Sequence, residues 1–463
     1  MRKTTLGLAL AVAVLGGCGD DGTPTGPEQG AELDPALSGG AATVFDEAST
    51  AFENPVPGLD AMQMSRFLAG DAAFEAVFVT APAQINGGLG PVFNQTSCVG
   101  CHGRDGRGQP DFGDTAPFVG SSLMRVSLPG ASIDPPGAPV PVPGFGGQIG
   151  DRAIFGVEPE ARVEVTYRIE EGRFADGQVY RLAHPTYDLV DPYTDLPAGV
   201  LTSPRMAPPV FGGGLLEAVP ASEILALADP GDADGDGISG RVNYVFDVAG
   251  GELVVGRFGR KANNPNLLQQ TAGAYNEDMG ITSPYFSRES AHGQKQADGL
   301  IDEPEITQEI LDDVVFYLRT LAVPARRLVN DPVALRGEEI FADVGCGGCH
   351  TPTLVTGSHE IAALSNQIIH PYTDFMLHDM GDDLADDRPD YDADGREWRT
   401  PPLWGIGLTQ TVSGVPAYLH DGRASTLLEA VMFHGGEAEA TRDAVQALTT
   451  EDRMALVVFL KSL

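Results

Sequence analysis

Two stretches of the sequence could do chemistry: SCVGCHG at 97–103 and VGCGGCHT at 344–351. Each is Cys-x-x-Cys-His, two thiols and an imidazole within five residues. Three kinds of site use such a set. A tetrahedral zinc site needs four converging ligands, and each stretch offers three with no matching pair nearby. A thioredoxin-like dithiol needs neither the adjacent His nor a second distant copy. Covalent haem c uses every residue: two thioethers to the porphyrin and the next imidazole on the iron.

The cysteine count favours the third reading. The chain has five Cys, and Cys98, Cys101, Cys346 and Cys349 fill the two motifs. Cys98, Cys101 and His102 are therefore assigned to one haem c, and Cys346, Cys349 and His350 to a second. The fifth, Cys18, closes an export signal. Arg2 and Lys3 precede an apolar run from Leu6 to Leu15, and Leu15-Gly16-Gly17-Cys18 resembles a bacterial lipobox. The run is too short to span a bilayer. This predicts a signal peptide over 1–17, a lipid on Cys18 and a flexible tether over 18–50. The chain would be anchored by lipid alone, on the periplasmic side of a bacterial envelope, at the outer membrane. A net charge of -36, from 65 acids against 29 Lys plus Arg, excludes nucleic-acid binding, since phosphates would be repelled.

Why the motif occurs twice is answered by repeats. Phe93 and Phe341 each lie five residues before a first Cys. PPVFGGGL at 208–215 echoes PPLWGIGL at 401–408, and VVFYLRTL at 314–321 echoes VVFLKSL at 457–463. Thr307 and Thr449 head the closing helices as N-caps. The expected fold is mainly α: two cytochrome c-like domains from an internal duplication, 51–328 and 329–463. The first carries long loops and two β-hairpin insertions, RVEVTYRIEEGRFADGQVYRL and VNYVFDVAGGELVVGRFGRK. Phe211 and Trp404 occupy equal places in the copies and are expected to pack on the haems.

From about residue 54 to the end the chain resembles the di-haem oxidoreductase family, peroxidases related to bacterial di-haem cytochrome c peroxidases. The blocks that carry it include QTSCVGCHGRDGRG, DADGDGISGR, GCGGCHTP, LHDMGDDLADD, RTPPLWGIGL and YLHDGRASTLLEAVMFHGGEA. The resemblance implies two mainly helical cytochrome c domains. It also implies that His434 sits where those peroxidases place an axial Met, so His434 becomes the distal ligand of the C-terminal iron, with Met432 as runner-up. A pair of imidazoles lowers the potential relative to Met/His. His420 falls in the same segment and is read as a hydrogen-bonding neighbour.

The remaining candidates come from residue chemistry. Arg399 and Arg423 suit haem propionates. Met279, or Met206, is a candidate sixth ligand at the N-terminal iron, and neither His184 nor His292 lies in a ligand-like segment. Glu217 is a candidate distal acid–base group. Asp232, Asp234 and Asp236, and less completely Asp390, Asp392 and Asp394, match the front of a calcium loop without its closing Glu. Two functions stay open. One is an enzyme whose N-terminal haem meets a small oxidant such as peroxide, while the C-terminal haem takes electrons from a donor cytochrome or similar redox protein. The other is a di-haem electron carrier without a substrate; more distant relatives include oxygen-using enzymes. The export reading has its own test. Cys18→Ser should move the protein from the membrane fraction to the soluble fraction, and an unchanged distribution refutes the lipid anchor.

Overall fold

The computed structural model of the chain describes residues 34–110, 121–300 and 303–463; the signal peptide and Cys18 lie outside them. Pro35–Leu463 form a single compact unit. The tether expected over 18–50 does not extend into the described part. Ala42 and Ala51 are fully buried, and Thr43–Val44 pair in parallel with Val323–Pro324.

Four helices frame the molecule, and each begins where the sequence supplies a cap. Helix α1, Ala61–Glu75, opens with a capping box in which Asp60 accepts from the backbone of Met62 and Gln63 and Gln63 reaches back to the Asp60 N–H. Helix α2, Leu267–Met279, is capped by Asn266. Helix α3, Gln308–Thr320, starts at Thr307 as expected. Helix α4, Pro332–Asp343, has Asp331 as its cap and Pro at its first position. After the short helix α5, Leu427–Met432, the chain closes on α6, Thr450–Ser462, capped by Thr449.

α1 packs on α3, and α4 packs on α6. Both crossings pass through a glycine. A Cβ on Gly70 of α1 would collide with the backbone of Asp313, and one on Gly337 of α4 with the backbone of Ala455. The close approach seats Phe74 against Tyr317 and Phe341 against Phe459, with ring centroids 5.5 and 5.2 Å apart. Burying one such ring is worth roughly 1.5–3 kcal/mol. The contacts match elsewhere too. A Cβ on Gly214 would strike the carbonyl of Arg319, and one on Gly407 that of Lys461. Gly212 and Gly405 share a φ of +69°. Gly212 leaves room for Trp404, and Gly405 leaves room for Phe211.

The fold is mixed, with 28% helix and 21% strand, which corrects the mainly α expectation. Strand comes from the N-terminal half. β1, Ser122–Ile133, is the centre of a four-stranded sheet. β2, Arg162–Arg173, and β3, Val179–Val190, form the long hairpin seen in the sequence, paired from Arg162↔Val190 to Arg173↔Val179. β4, Leu201–Met206, returns antiparallel to β1. β5, Tyr244–Asp247, and β6, Glu252–Val255, make the second expected hairpin. Helix content stays low because Gly- and Pro-rich segments between these elements cannot sustain a 3.6-residue apolar repeat.

The β2–β3 hairpin reaches across the molecule. Phe174 and Leu182 are buried in the apolar cluster of the C-terminal half. Arg453 of α6 stacks over Phe174 at 4.0 Å and pairs with Asp176 at 2.7 Å. Tyr187 donates its hydroxyl to buried Asp421, 2.7 Å away. The matched glycine crossings set up a stability test. Gly70→Ala and Gly337→Ala should each cost about 2–3 kcal/mol in chemical unfolding, the scale of overpacking. Gly231→Ala, in open space, should stay within about 0.5 kcal/mol.

Candidate functional site

Each motif His is held by a backbone carbonyl. His102 Nδ1 donates to Pro208 O over 2.8 Å, and His350 Nδ1 donates to Tyr372 O over 3.0 Å. A carbonyl can only accept, so the proton is on Nδ1 and the Nε2 lone pair is left for a metal. Burial lowers both proton affinities to about 4, so both rings are neutral, as an iron ligand must be. Phe74 flanks His102 at 6.1 Å and Phe341 flanks His350 at 6.5 Å. The repeat reading paired Phe341 with Phe93. The structure instead gives Phe74 that place, because a long loop separates α1 from Cys98, and Phe93 pairs with Arg152 in a short strand.

The four thiols are free. Burial pushes Cys98 and Cys346 up to about 12 and raises Cys101 and Cys349. A redox dithiol needs the opposite shift. Among the described residues, the only group of three or more acidic, His or Cys ligand atoms close enough to share a metal is Asp232, Asp234 and Asp236. The motifs therefore do not converge on zinc. Half-buried thiols paired with a neutral imidazole whose Nε2 is free fit covalent haem at both places.

A family profile described as "Di-haem oxidoreductase, putative peroxidase" matches residues 33–463. The chain belongs to the di-haem oxidoreductase family. No curated protein and no solved structure showed a match. Family membership implies two haems, and the Cys98/Cys101 and Cys346/Cys349 pairs fit their attachment.

Around the C-terminal motif of this di-haem oxidoreductase a second imidazole appears. His434, just past α5, donates Nδ1–H to Ala430 O over 2.7 Å, which again leaves Nε2 free. Burial, and then the charge of His434, lower the proton affinity of His350. Met432, the runner-up, is in the apolar cluster of that half. Around His102 the nearby charge is Arg260. Met279 and Met206 are buried, Met279 at the end of α2 in the main core.

Other candidates are placed differently. Both oxygens of Glu217 are engaged: one accepts the Leu267 N–H at the start of α2 and the other pairs with Arg319 at 2.5 Å. It braces helices as placed. Arg423 is paired with Asp421 at 2.7 Å. Arg399 has carbonyl partners, Gly259 O and Thr400 O. His420 stacks on Trp398, centroids 3.8 Å apart. Asp232, Asp234 and Asp236 converge within 4.8 Å at the surface. In the second loop Asp390 is buried against Arg388 and Arg205, Asp394 accepts from Arg396 and Glu397, and Asp392 accepts from Tyr244.

Sequence reasoning missed His378. Its ring is buried between two carboxylates, Nε2 at 2.9 Å from Asp374 and Nδ1 at 2.7 Å from Glu437. Burial alone would lower its proton affinity, but hydrogen bonds to Asp374, Cys349 and Glu437 raise it well above the ordinary 6.5. Glu437 also accepts from Ser239 N and Oγ, and it lies three residues after His434. His378 thus ties the His434 loop, through Glu437, to Asp374. Its signal was the LHDMG block, whose His was read only as family likeness. His378→Leu leaves two acids facing each other and should cost about 3 kcal/mol or more in unfolding at neutral pH. In the parent, a raised affinity stabilises fully below the ordinary His value, and that contribution declines as pH rises above it. A variant as stable as the parent at neutral pH refutes the clamp.

Proposed function

We propose that the protein is an exported oxidoreductase that reduces a small oxidant, peroxide first, with electrons from a donor redox protein. The single observation that carries this reading is asymmetry. The charge of His434, whose Nε2 is free, acts on His350, and that of Arg260 acts on His102. Bound haem would supply one-electron chemistry at both places. His350 and His434 would together hold one haem, which would suit electron passage, and His102 would hold the other, which would meet the oxidant.

The residues of this chain supply the rest. The carbonyls of Pro208 and Tyr372 fix the rings. α1–α3 and α4–α6 exclude water from the His102 and His350 sides. Peroxide takes two electrons and two protons to give two waters, so proton entry at the N-terminal face is part of the reaction. Matched glycine crossings at Gly70/Gly337, Gly214/Gly407 and Gly212/Gly405 support two cytochrome c-like copies, 51–328 and 329–463, as the origin of this pairing. The export signal supports a place on the periplasmic side.

The experiment is optical and spin-resonance titration of protein matured with haem c. Two haems should remain after acid–acetone extraction. One should be low-spin and the other should shift with peroxide or cyanide. His434→Gly should turn the low-spin haem high-spin while ligand binding at the other survives. Two low-spin haems that ignore peroxide would instead establish the electron carrier.

A further inference from the structure

Buried cations in this protein carry acidic partners. Lys261 meets Asp386 at 2.8 Å, Arg388 meets Asp390 at 3.2 Å, Arg423 meets Asp421 at 2.7 Å and Arg453 meets Asp176 at 2.7 Å. Arg205, more loosely, faces Asp386 and Asp390 at 3.8 and 3.7 Å. With 65 acids in the chain, carboxylates are not scarce.

Among the half-buried arginines some lack such a partner: Arg257 and Arg327 meet only backbone carbonyls, and so do three that cluster. Arg107, Arg260 and Arg399 have no carboxylate oxygen within 4.0 Å among the described residues. Their side chains meet only backbone carbonyls: Arg107 the oxygen of Leu419 at 2.6 Å, Arg260 that of Met206 at 2.7 Å, and Arg399 those of Gly259 and Thr400 at 2.9 and 3.3 Å. Arg107 Nε and Arg260 Nε are buried with no hydrogen-bond partner. The three are also neighbours. The Arg399 N–H donates to Arg260 O at 2.9 Å, and the charges of Arg107 and Arg399 both act on Arg260. Burial lowers the proton affinity of all three. The charge of Asp421 reaches Arg107 and Arg260 and that of Asp374 reaches Arg399, yet neither carboxylate touches them, so the crowded guanidinium groups gain from an anion supplied in contact. What is missing is an anion that takes planar, forked hydrogen bonds, which is a carboxylate.

We infer that Arg107, Arg260 and Arg399 form one half-buried cradle for haem propionates at the seam between the two halves. Arg107 follows His102 by five residues, and the charge of Arg260 reaches His102; these two serve the N-terminal haem. Arg399 is followed by Thr400, whose carbonyl takes the hydroxyl of Thr373, next to Tyr372; it serves the C-terminal haem. The inference rests on the di-haem reading.

The test uses the matured protein and its Arg107→Gln, Arg260→Gln and Arg399→Gln variants, with Arg260→Lys and Arg453→Gln beside them. Pyridine haemochrome counts haems first; fewer than two in the parent would refute the di-haem reading itself. With two haems present, removing a cation beside a propionate leaves its negative charge unbalanced and favours ferric iron. Arg260→Gln should lower the midpoint of the ligand-binding haem more than that of the low-spin haem, and Arg399→Gln should do the reverse. The propionate-bending bands in resonance Raman spectra should shift in all three Gln variants. Arg260→Lys should recover most of the midpoint but not the band, and Arg453→Gln should match the parent. If one Gln variant does not fold, the other two decide. Unchanged midpoints and bands overturn the cradle. So does a cluster serving a free anion: the bands would stay fixed in every variant, and added formate would shift the parent's spectrum.

Discussion

An imidazole that is to offer Nε2 to a metal must carry its proton on Nδ1, and a carbonyl that accepts that N–H fixes both the tautomer and the ring. Much of this molecule follows from meeting that demand twice. Near the first motif the acceptor is Pro208, in the Pro-rich segment that leads into Phe211 and the glycines. Near the second it is Tyr372, held at a φ of +56°. A bulky residue avoids that region unless its surroundings insist. Here they do: the Tyr372 ring is buried against Phe341 and Phe459, Thr373 is tied to Thr351 and Thr400, and Leu403 N donates to Pro371 O. Strain at one residue is offset by packing and hydrogen bonds on both sides.

The helix crossings serve the same end. Gly70 and Gly337 let α1 meet α3 and α4 meet α6 at backbone distance, and that contact sets how deep Phe74 and Phe341 reach toward the motif rings. A side chain at either glycine would push the aromatic wall away from the imidazole. The β2–β3 hairpin then locks the halves. Phe174 and Leu182 belong to the first half by sequence but are buried in the second, where Asp176 pairs with Arg453 and Tyr187 with Asp421. His184 of that hairpin sits edge-on to Phe433, the residue before His434. Residues 35–463 are one compact unit for this reason.

Much of the frame was legible because it rests on local rules. Thr307 and Thr449 were readable as caps, and both hairpins as alternating runs, since those signals act over a few residues. The cofactor content was legible because Cys-x-x-Cys-His uses every thiol beyond Cys18. Two kinds of feature were not. Strand content was underestimated because β1 and β4 meet across some seventy residues, and no local pattern announces the pairing. The polar partners were missed because they are tertiary. Glu217 looked free and proved to be tied to Leu267 and Arg319, while Arg423 looked like a propionate partner and has Asp421. Phe93 matches Phe341 in its spacing to Cys, but equal spacing is not equal placement, and Phe74 is the ring beside His102.

Matching frames with unequal surroundings follow from where each is encoded. Glycine crossings and aromatic walls lie within helices, where one change is felt by every neighbour. Ligand environments lie on loops and turns: Pro208, Tyr372, the His434–Glu437 turn, and the Arg107 and Arg260 segments. Loops can be replaced without unmaking the core, and chemistry accumulates there. The second half uses that freedom to bring His434 up on a turn anchored through Glu437 to His378, Ser239 and Asp379. The first half spends its loops on the β sheet and on Arg260 instead. Similar helix pairs can thus stand behind two motif imidazoles whose loops differ, one with His434 and one with Arg260 as the charge that acts on it.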